Sequence, residues 1–349
     1  MVTEEISLNE HLEKAGIESL ETDLGEYIVQ LAGEKPYHIV TPAMHKSKEE
    51  VAALFNEKFG MAADSTPEQV TAFVRDLLRE KFFNADIGIT GANFLVADIG
   101  AVCLTENEGN AMMSMSFPKV HIVIAGIEKL IPKLRDLDLF WPLLATHGTG
   151  QNITVYNSIV TGPRQDSEND GPEEMYVILL DNNRTEILAH KNQRRALGCI
   201  RCGACLNVCP VYKSIGGHSY GTTYSGPIGS VITPWMRGMK DFKHLSFASS
   251  LCGACTEVCP VKINLHEQLL YNRNDSVKEG YASRFDKILM HGFKTGMGKR
   301  KYMDLFSGKT KNKVLKKFFA ASWGPRRELP VVAAKSFKEL WDERNGGKK

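Results

Sequence analysis

No run in this 349-residue chain approaches the roughly 18 consecutive apolar residues of a membrane span. The formal net charge of +2 gives no global attraction to nucleic acid. No G-x-G-x-x-G follows a strand-like segment, so the phosphate cradle of a dinucleotide-binding turn is missing, and no flavin site is identifiable. Met1-Val2-Thr3-Glu4-Glu5 is acidic and lacks the basic-then-apolar order of a secretory leader. Cysteine is scarce except in one place: of eight, only Cys103 lies outside residues 199–259. Thiols clustered so regularly in a chain this long do not suit a disulfide framework, and the expected compartment is the reducing cytoplasm. With 43% hydrophobic and 24% charged residues, the chain is of ordinary globular composition and long enough for two domains with cores.

The clustered cysteines form two related motifs. The first is Cys199-Ile200-Arg201-Cys202-Gly203-Ala204-Cys205-Leu206-Asn207-Val208-Cys209-Pro210. The second is Ser249-Ser250-Leu251-Cys252-Gly253-Ala254-Cys255-Thr256-Glu257-Val258-Cys259-Pro260. The first reads C-x2-C-x2-C-x3-C-P, the spacing that holds cubane iron–sulfur clusters. The second keeps the frame but has Ser249 where its first cysteine would be. Three cysteines at this spacing wrap a tight turn round three corners of a cubane, and Gly203 and Gly253 suit the turn because glycine accepts positive φ. In two-cluster ferredoxins the fourth cysteine of each run serves the other cluster. Applied here, cluster one takes Cys199, Cys202, Cys205 and Cys259. Cluster two takes Cys209, Cys252 and Cys255 and lacks a fourth cysteine. Structural zinc is the competing reading, because C-x2-C pairs also build zinc ribbons. The tight packing of the first four cysteines and the near-duplicate second frame favour iron.

Ser249 leaves three outcomes. The second cluster is a three-iron (3Fe–4S) cluster, or a 4Fe–4S cluster whose fourth iron takes the serine oxygen, water or a partner's group, or an open iron acting as a Lewis acid on substrate. The 4Fe–4S cluster with a non-cysteine fourth ligand is the favoured one. Two adjacent clusters form a one-electron relay, which needs partners at both ends.

Upstream, helix and strand signals alternate, as in an α/β sheet. Ser47 with Glu50 and Thr66 with Gln69 read as capping boxes before apolar residues at helical spacing. Residues 87–98 read as two short elements joined by a glycine turn, 101–105 as a buried strand, and 120–125 as another. Gly126 is expected to lead into a helix carrying Leu130, Leu134 and Leu137. Strands are expected at 153–160 and 175–180. Residues 183–196 read as a basic helical linker that includes Arg184, and Thr233-Pro234 as the start of a short helix.

The run 196–205, the Gly226-Pro227-Ile228-Gly229 loop and the stretch 249–263 together resemble the lactate utilisation protein B family. Gly88-Ile89-Thr90-Gly91-Ala92-Asn93 and Asn107-Glu108-Gly109-Asn110 resemble that family's LUD domain. The resemblance covers essentially the whole chain. It implies an α/β LUD domain with a sheet of sugar-isomerase/CoA-transferase type over residues 1–188. A mainly helical double-cluster ferredoxin domain over 189–285 and a basic helical extension over 286–349 would follow. It implies a three-protein cytoplasmic system oxidising L-lactate to pyruvate, in which this member carries electrons on two 4Fe–4S clusters and is not a self-sufficient enzyme. The implied partners are a cysteine-rich subunit resembling those of heterodisulfide reductases and a second LUD protein. The family's cluster ligands carry over onto the seven cysteines, and the missing eighth is a family feature. The family extends upstream of the position matched by Met1, so the first domain is expected to be N-terminally incomplete, with some surface uncovered.

Other residues are candidates of lower rank. Thr90–Asn93, Glu106–Asn110 and Thr146–Gln151 are expected at strand ends, where open α/β sheets bind ligands, although Gly and Asn also serve ordinary turns. Glu108 and His147 are the residues to test there. Cys103, on an apolar strand, reads as core. The basic segment 291–320 could dock an acidic partner or anionic lipid, or be a solvated helical face. Two alternatives to the carrier remain: a chain that itself acts on an organic acid, and a redox-sensing binding protein.

Overall fold

The N-terminal helices start where the sequence caps them. In this computed structural model, which describes residues 1–346, Ser47 opens the helix Lys48–Phe59 and Thr66 opens Pro67–Asn84. Each has a complete capping box, closed by Glu50 and Gln69. Val70, Val74, Leu78 and Phe82 recur every four residues, and this stripe packs with Phe55, Tyr27 and Ile28 in one buried cluster.

Seven strands follow among the described residues: β1 (Ile87–Thr90), β2 (Phe94–Val96), β3 (Ala101–Glu106), β4 (Val120–Gly126), β5 (Leu130–Ile131), β6 (Tyr156–Val160) and β7 (Glu174–Leu180). They form two sheets. One is parallel in the order β1-β4-β7, with Ile87 opposite Val120 and Val120 opposite Glu174. The other has the order β5-β2-β3-β6 and is mixed, with Cys103 paired to Phe94 on one side and Ile159 on the other. On β7, Tyr176, Val177, Ile178 and Leu179 are all exposed.

His121 lies fully buried on β4. Its Nε2 is 2.8 Å from Thr90 Oγ1, and its Nδ1 has no partner. Burial pushes the imidazole down to about 4 from its ordinary 6.5. Between these values the unfolded chain binds a proton that the native chain refuses. Stability therefore falls as pH drops through this window, by up to about 3 kcal/mol. His121→Gln cannot titrate, so its Tm should vary less with pH than the wild type's between about pH 5 and 6.5. An equal slope would assign the acid sensitivity to other groups.

Three segments depart from expectation. After Gly126 the chain makes a 3-10 turn (Ile127–Lys129), then β5, then a second turn (Leu134–Asp136), and the helix runs only from Leu137 to Gly148. Leu130 and Leu134 are exposed while Leu137 is buried. Parallel pairing of β5 with β2 competes with helix here, and Pro132 offers no N–H to continue one. The helix Asn110–Ser116 follows a segment that reads only as a turn. Its first turn is held by Glu106, whose two oxygens accept from the Ala111 and Met112 N–H groups at 2.7 and 2.8 Å.

The third departure joins two features. Residues 226–229, expected as a loop, and the helix expected to start at Thr233 form one helix, Gly226–Arg237, with Pro234 inside it. Pro234 cannot donate to the Ser230 carbonyl four residues back. The Ser246 hydroxyl donates to that carbonyl instead, at 2.7 Å. At the other end Gly226 has a φ of +68°, and a Cβ there would stand 2.5 Å from Leu206 Cγ. Glycine is what lets this helix start against the segment carrying Cys205.

The chain divides into two compact units, Met1–Glu279 and the residues from Gly280 onward. The first holds the mixed α/β sheets and then the short helices of the cysteine region. The second contains the helices Arg284–Gly298, Gly308–Trp323 and Phe337–Arg344, over which the basic segment is distributed. Phe285, Ile288 and Phe293 are exposed there. Among the described residues no helix is long and apolar enough to cross a membrane.

Candidate iron–sulfur centre

The two cysteine motifs share the backbone angles of their tight turns. Gly203 and Gly253 have φ of +78° and +85°, as the tight turn requires, and Arg201 and Leu251 also sit at positive φ, +63° and +55°. In the first copy the Arg201 N–H points at Cys199 Sγ, 3.4 Å away. In the second the Leu251 N–H donates to Ser249 Oγ at 3.2 Å. Ser249 therefore presents its oxygen where Cys199 presents its sulfur. From the helix Leu265–Lys278, the Arg273 guanidinium donates to the Ser246 carbonyl at 2.9 Å and the Ser249 carbonyl at 3.2 Å, anchoring that loop.

The thiols group across the motifs. Cys199, Cys202, Cys205 and Cys259 ring one apolar cavity, walled by Ile39, Ile228 and Leu265. Cys202 lies within the electrostatic reach of Cys199 and Cys259, and Cys255 within that of Cys209 and Cys252. Cys205 also feels Cys255, so the two groups adjoin. Burial pushes the Cys202 and Cys255 thiols up to about 11, and Cys205 well above its ordinary value. Thiolates in this apolar setting form readily only against a cation. Backbone donors are also in place, with the Tyr212 N–H 3.5 Å from Cys209 Sγ and the Ile263 N–H 3.3 Å from Cys259 Sγ.

The spacing discriminates between metals. Zinc bonds of about 2.3 Å hold tetrahedral sulfurs about 3.8 Å apart. Among the described residues, no three cysteine sulfurs lie within 4.8 Å of one another. A cubane, with iron at each corner inside the thiolates, spreads its ligands more widely. The residues present therefore fit cubane clusters better than zinc.

Exposure differs between the two groups. Cys202, Cys205 and Cys259 are buried and Cys199 is partly so, whereas in the second group Cys255 is buried, Cys209 is partly so and Cys252 is exposed. A further neighbour is His38. Its Nδ1 accepts from the Val40 and Thr41 N–H groups, which leaves the proton on Nε2, against Gly203 and beside Asn207.

The turns Gly91–Asn93 and Glu106–Asn110, at the carboxyl ends of β1 and β3, line a cavity of about 590 Å³ together with Ile200 and Arg201 of the first motif. Glu108 lies on its wall and accepts the Leu24 N–H at 3.1 Å; burial raises its carboxyl above the usual range. His147 does not join it. Residues 146–148 end a helix, not a strand, and His147 Nδ1 sits 3.0 Å from the Leu143 carbonyl. Cys103 is fully buried core, its thiol pushed up to about 11 by burial.

One arrangement has no signal in the sequence. Arg184, expected on a basic helical linker, has a side chain only 1% exposed. It holds Glu5 through Nη2 at 2.6 Å and Nη1 at 3.0 Å, and pairs with Glu128 through Nε. The other Glu128 oxygen accepts from Arg201 Nη2 at 3.3 Å, and the Tyr224 hydroxyl donates to Glu5. Burial alone would raise Glu5, but the Arg184, Tyr224 and Asn182 contacts outweigh it and hold this carboxyl below its ordinary value. Lys129, beside them, is lowered to about 8, first by burial and then by the charge of Arg201.

Comparison with known proteins gives the class first. Residues 3–180 match the LUD domain, and residues 195–263 match a 4Fe-4S dicluster domain. The chain is 46% identical, over an alignment of 361 positions, to the lactate utilization protein B of Bacillus cereus (strain AH820) and to that of Bacillus anthracis (strain CDC 684 / NRRL 3495). The alignments cover all of this chain and 76% of each relative. A crystal structure of a DUF162 family protein from Deinococcus radiodurans matches 29% of this chain and 56% of its own, at 16% identity and a TM-score of 0.22. The chain belongs to the lactate utilization protein B family.

Proposed function

We propose that the chain is the iron–sulfur electron carrier of a multi-protein system oxidising L-lactate to pyruvate. The observation that carries this reading is the ring of Cys199, Cys202, Cys205 and Cys259 adjoining the more exposed set Cys209, Cys252 and Cys255. A buried site next to one that reaches the surface suits a one-electron conduit with a docking end. Each set would hold one 4Fe–4S cluster, and the second would take its fourth ligand at or near Ser249 Oγ. When bound, the clusters supply one-electron transfer. The chain positions them through the positive-φ turns and backbone N–H groups and keeps water from the inner one.

Lactate oxidation to pyruvate releases two electrons and two protons, and no dinucleotide fingerprint accompanies the motifs to take a hydride. The electrons therefore enter and leave through partners. The expected ones are a cysteine-rich subunit of heterodisulfide-reductase type and a second LUD protein, in the cytoplasm. The relatives' name supports lactate as the substrate of the system. The corresponding domain division is 1–188, 189–285 and 286–349, with the sheets of the first related to the sugar-isomerase/CoA-transferase type.

The test is anaerobic reconstitution. The isolated chain should be brown, bleach with dithionite and leave lactate unoxidised, while adding both partners should give lactate-dependent reduction. Turnover of lactate by the single chain would contradict the carrier reading. Ser249→Cys fills the open corner and should spare electron flux. A loss of flux in that variant would favour an open iron acting on substrate. A three-iron signal from undamaged oxidised protein would replace the second 4Fe–4S assignment.

A further inference from the structure

The helix Arg284–Gly298 buries none of its residues. Phe285, Ile288, Leu289, Met290, Phe293 and Met297 are all exposed on it. At 3.6 residues per turn these six fall on one continuous arc of roughly 200°. Arg284, Lys287, His291 and Lys294 share the opposite side. Its one acid, Asp286, is turned back on the N-cap, where the carboxylate accepts from the Ser283 hydroxyl at 2.7 Å. With glycine at 292, 296 and 298, these 15 residues gain little from helix propensity. Among the described residues nothing packs over Gly292 or Gly296, which lie within the apolar arc. Such a helix is ordinarily held by the surface that covers its apolar face.

The longer helix that follows repeats the pattern. Gly308–Trp323 exposes Val314, Phe318, Phe319 and Trp323 towards one side, and carries Lys309, Lys313, Lys316 and Lys317 towards the other. Over residues 284–317 eleven lysines and arginines stand against Asp286 and Asp304, and Asp304 already pairs with Arg300 at 2.9 Å. The whole chain is only +2, so its positive charge is concentrated where these two apolar faces are.

We propose that these two helices lie on an anionic phospholipid surface, with their aromatic and aliphatic residues among the outer acyl carbons and their lysines at the level of the phosphates. Buried apolar area and attraction to anionic headgroups together hold an amphipathic helix in that plane. The lysine stems are long enough to follow the apolar arc while the ammonium groups stay with the headgroups. A protein groove suits the first helix less well. Groove-bound helices anchor through the stripe i, i+3, i+4, i+7, whereas this arc takes in more than half of the circumference. The attachment is peripheral, since no helix among the described residues is long and apolar enough to cross a membrane. The proposal goes beyond the carrier reading, which needs no lipid.

Co-sedimentation of the full cluster-containing chain, without oxygen, tests it. The vesicles are phosphatidylcholine alone and equimolar phosphatidylcholine and phosphatidylglycerol. The anionic vesicles should bind the chain at least about tenfold more tightly, and added salt should weaken that binding. Phe293→Glu sets a carboxylate on the apolar arc at a position already 62% exposed. It should weaken binding to the anionic vesicles about tenfold or more, and Phe293→Leu should retain most of it. Replacing Lys287 and Lys294 together by glutamine should narrow the difference between the two vesicle types. Iron content and thermal stability of the three variants should match the wild type, so that lost binding is not mistaken for misfolding. No binding to the anionic vesicles, equal binding to both types, or wild-type binding by Phe293→Glu would overturn the proposal. If the chain ignored both vesicles while Phe293→Glu lost affinity for a protein partner of the lactate system, the arc would be a protein-docking face. The proposal would then fall with the carrier reading intact. A chain that binds anionic vesicles but holds no clusters would have the reverse meaning.

Discussion

Cys259→Ala should remove the same cluster as Cys202→Ala, although the two residues belong to different motifs. Each variant should retain about half of the iron and show one surviving cluster after reduction. Cys209→Ala should pair in the same way with Cys255→Ala. The expectation rests on the cavity that Cys259 shares with Cys199, Cys202 and Cys205, and on the proximity of Cys209 to Cys255. The effect should be all-or-none for each cluster because metal binding and local folding are coupled. The site of Cys202, Cys205 and Cys259 is buried among Ile228 and Leu265 and cannot close on a partial ligand set without leaving unsatisfied thiols in apolar surroundings. Iron and sulfide analysis with low-temperature EPR of the four variants distinguishes the outcomes. If Cys259→Ala instead removed the cluster lost in Cys255→Ala, each motif would serve its own cluster and the crossed assignment would be wrong.

The second large effect is expected far from any cysteine sulfur. Arg184→Met should destabilise the folded chain by about 3–5 kcal/mol, or roughly 5–10 °C in Tm. The methionine fills most of the volume, so the loss comes from charge and not from a cavity. Glu5 and Glu128, with side chains only 4% and 2% exposed, are left facing each other without their shared cation. In the wild type Glu5 is held below its ordinary 4.5, so its contribution is present above that pH and is lost as the pH falls through the lowered value. In Arg184→Met the sign reverses. Burial then raises the Glu5 carboxyl, and the variant should be closer to wild-type stability near pH 5 than near pH 8. Adding Glu128→Gln should recover part of the loss. Urea unfolding at the two pH values measures both effects, and a loss below about 1 kcal/mol would show that the network is dispensable.

These cases mark what the sequence could and could not reveal. The ligand turns and the capping boxes at Ser47 and Thr66 were legible because each is closed within a few residues by fixed chemistry: spacing, a glycine at positive φ, a carboxyl or amide three positions on. Arg184 was not, because its partners lie 56 and 179 residues away, and a basic linker helix looks the same whether solvated or buried. The sequence reads as a helix starting at Thr233-Pro234, because proline suits a first helical position; in the fold Pro234 lies inside the helix Gly226–Arg237, and the Ser230 carbonyl it leaves without a donor is satisfied by Ser246 from another helix. The turns Gly91–Asn93 and Glu106–Asn110 line one cavity together with Gly148 and Thr149, whereas His147, from the same segment, lies at a helix end and does not.

The most direct measurement is the metal inventory of the anaerobically purified chain, by elemental analysis together with Mössbauer spectroscopy. Two cubane clusters per chain, both four-iron and free of zinc, is the predicted result, with one site distinguishable at its Ser249 corner. Zinc in the cysteine motifs, or iron sufficient for only one cluster in undamaged protein, would contradict the two-cluster carrier.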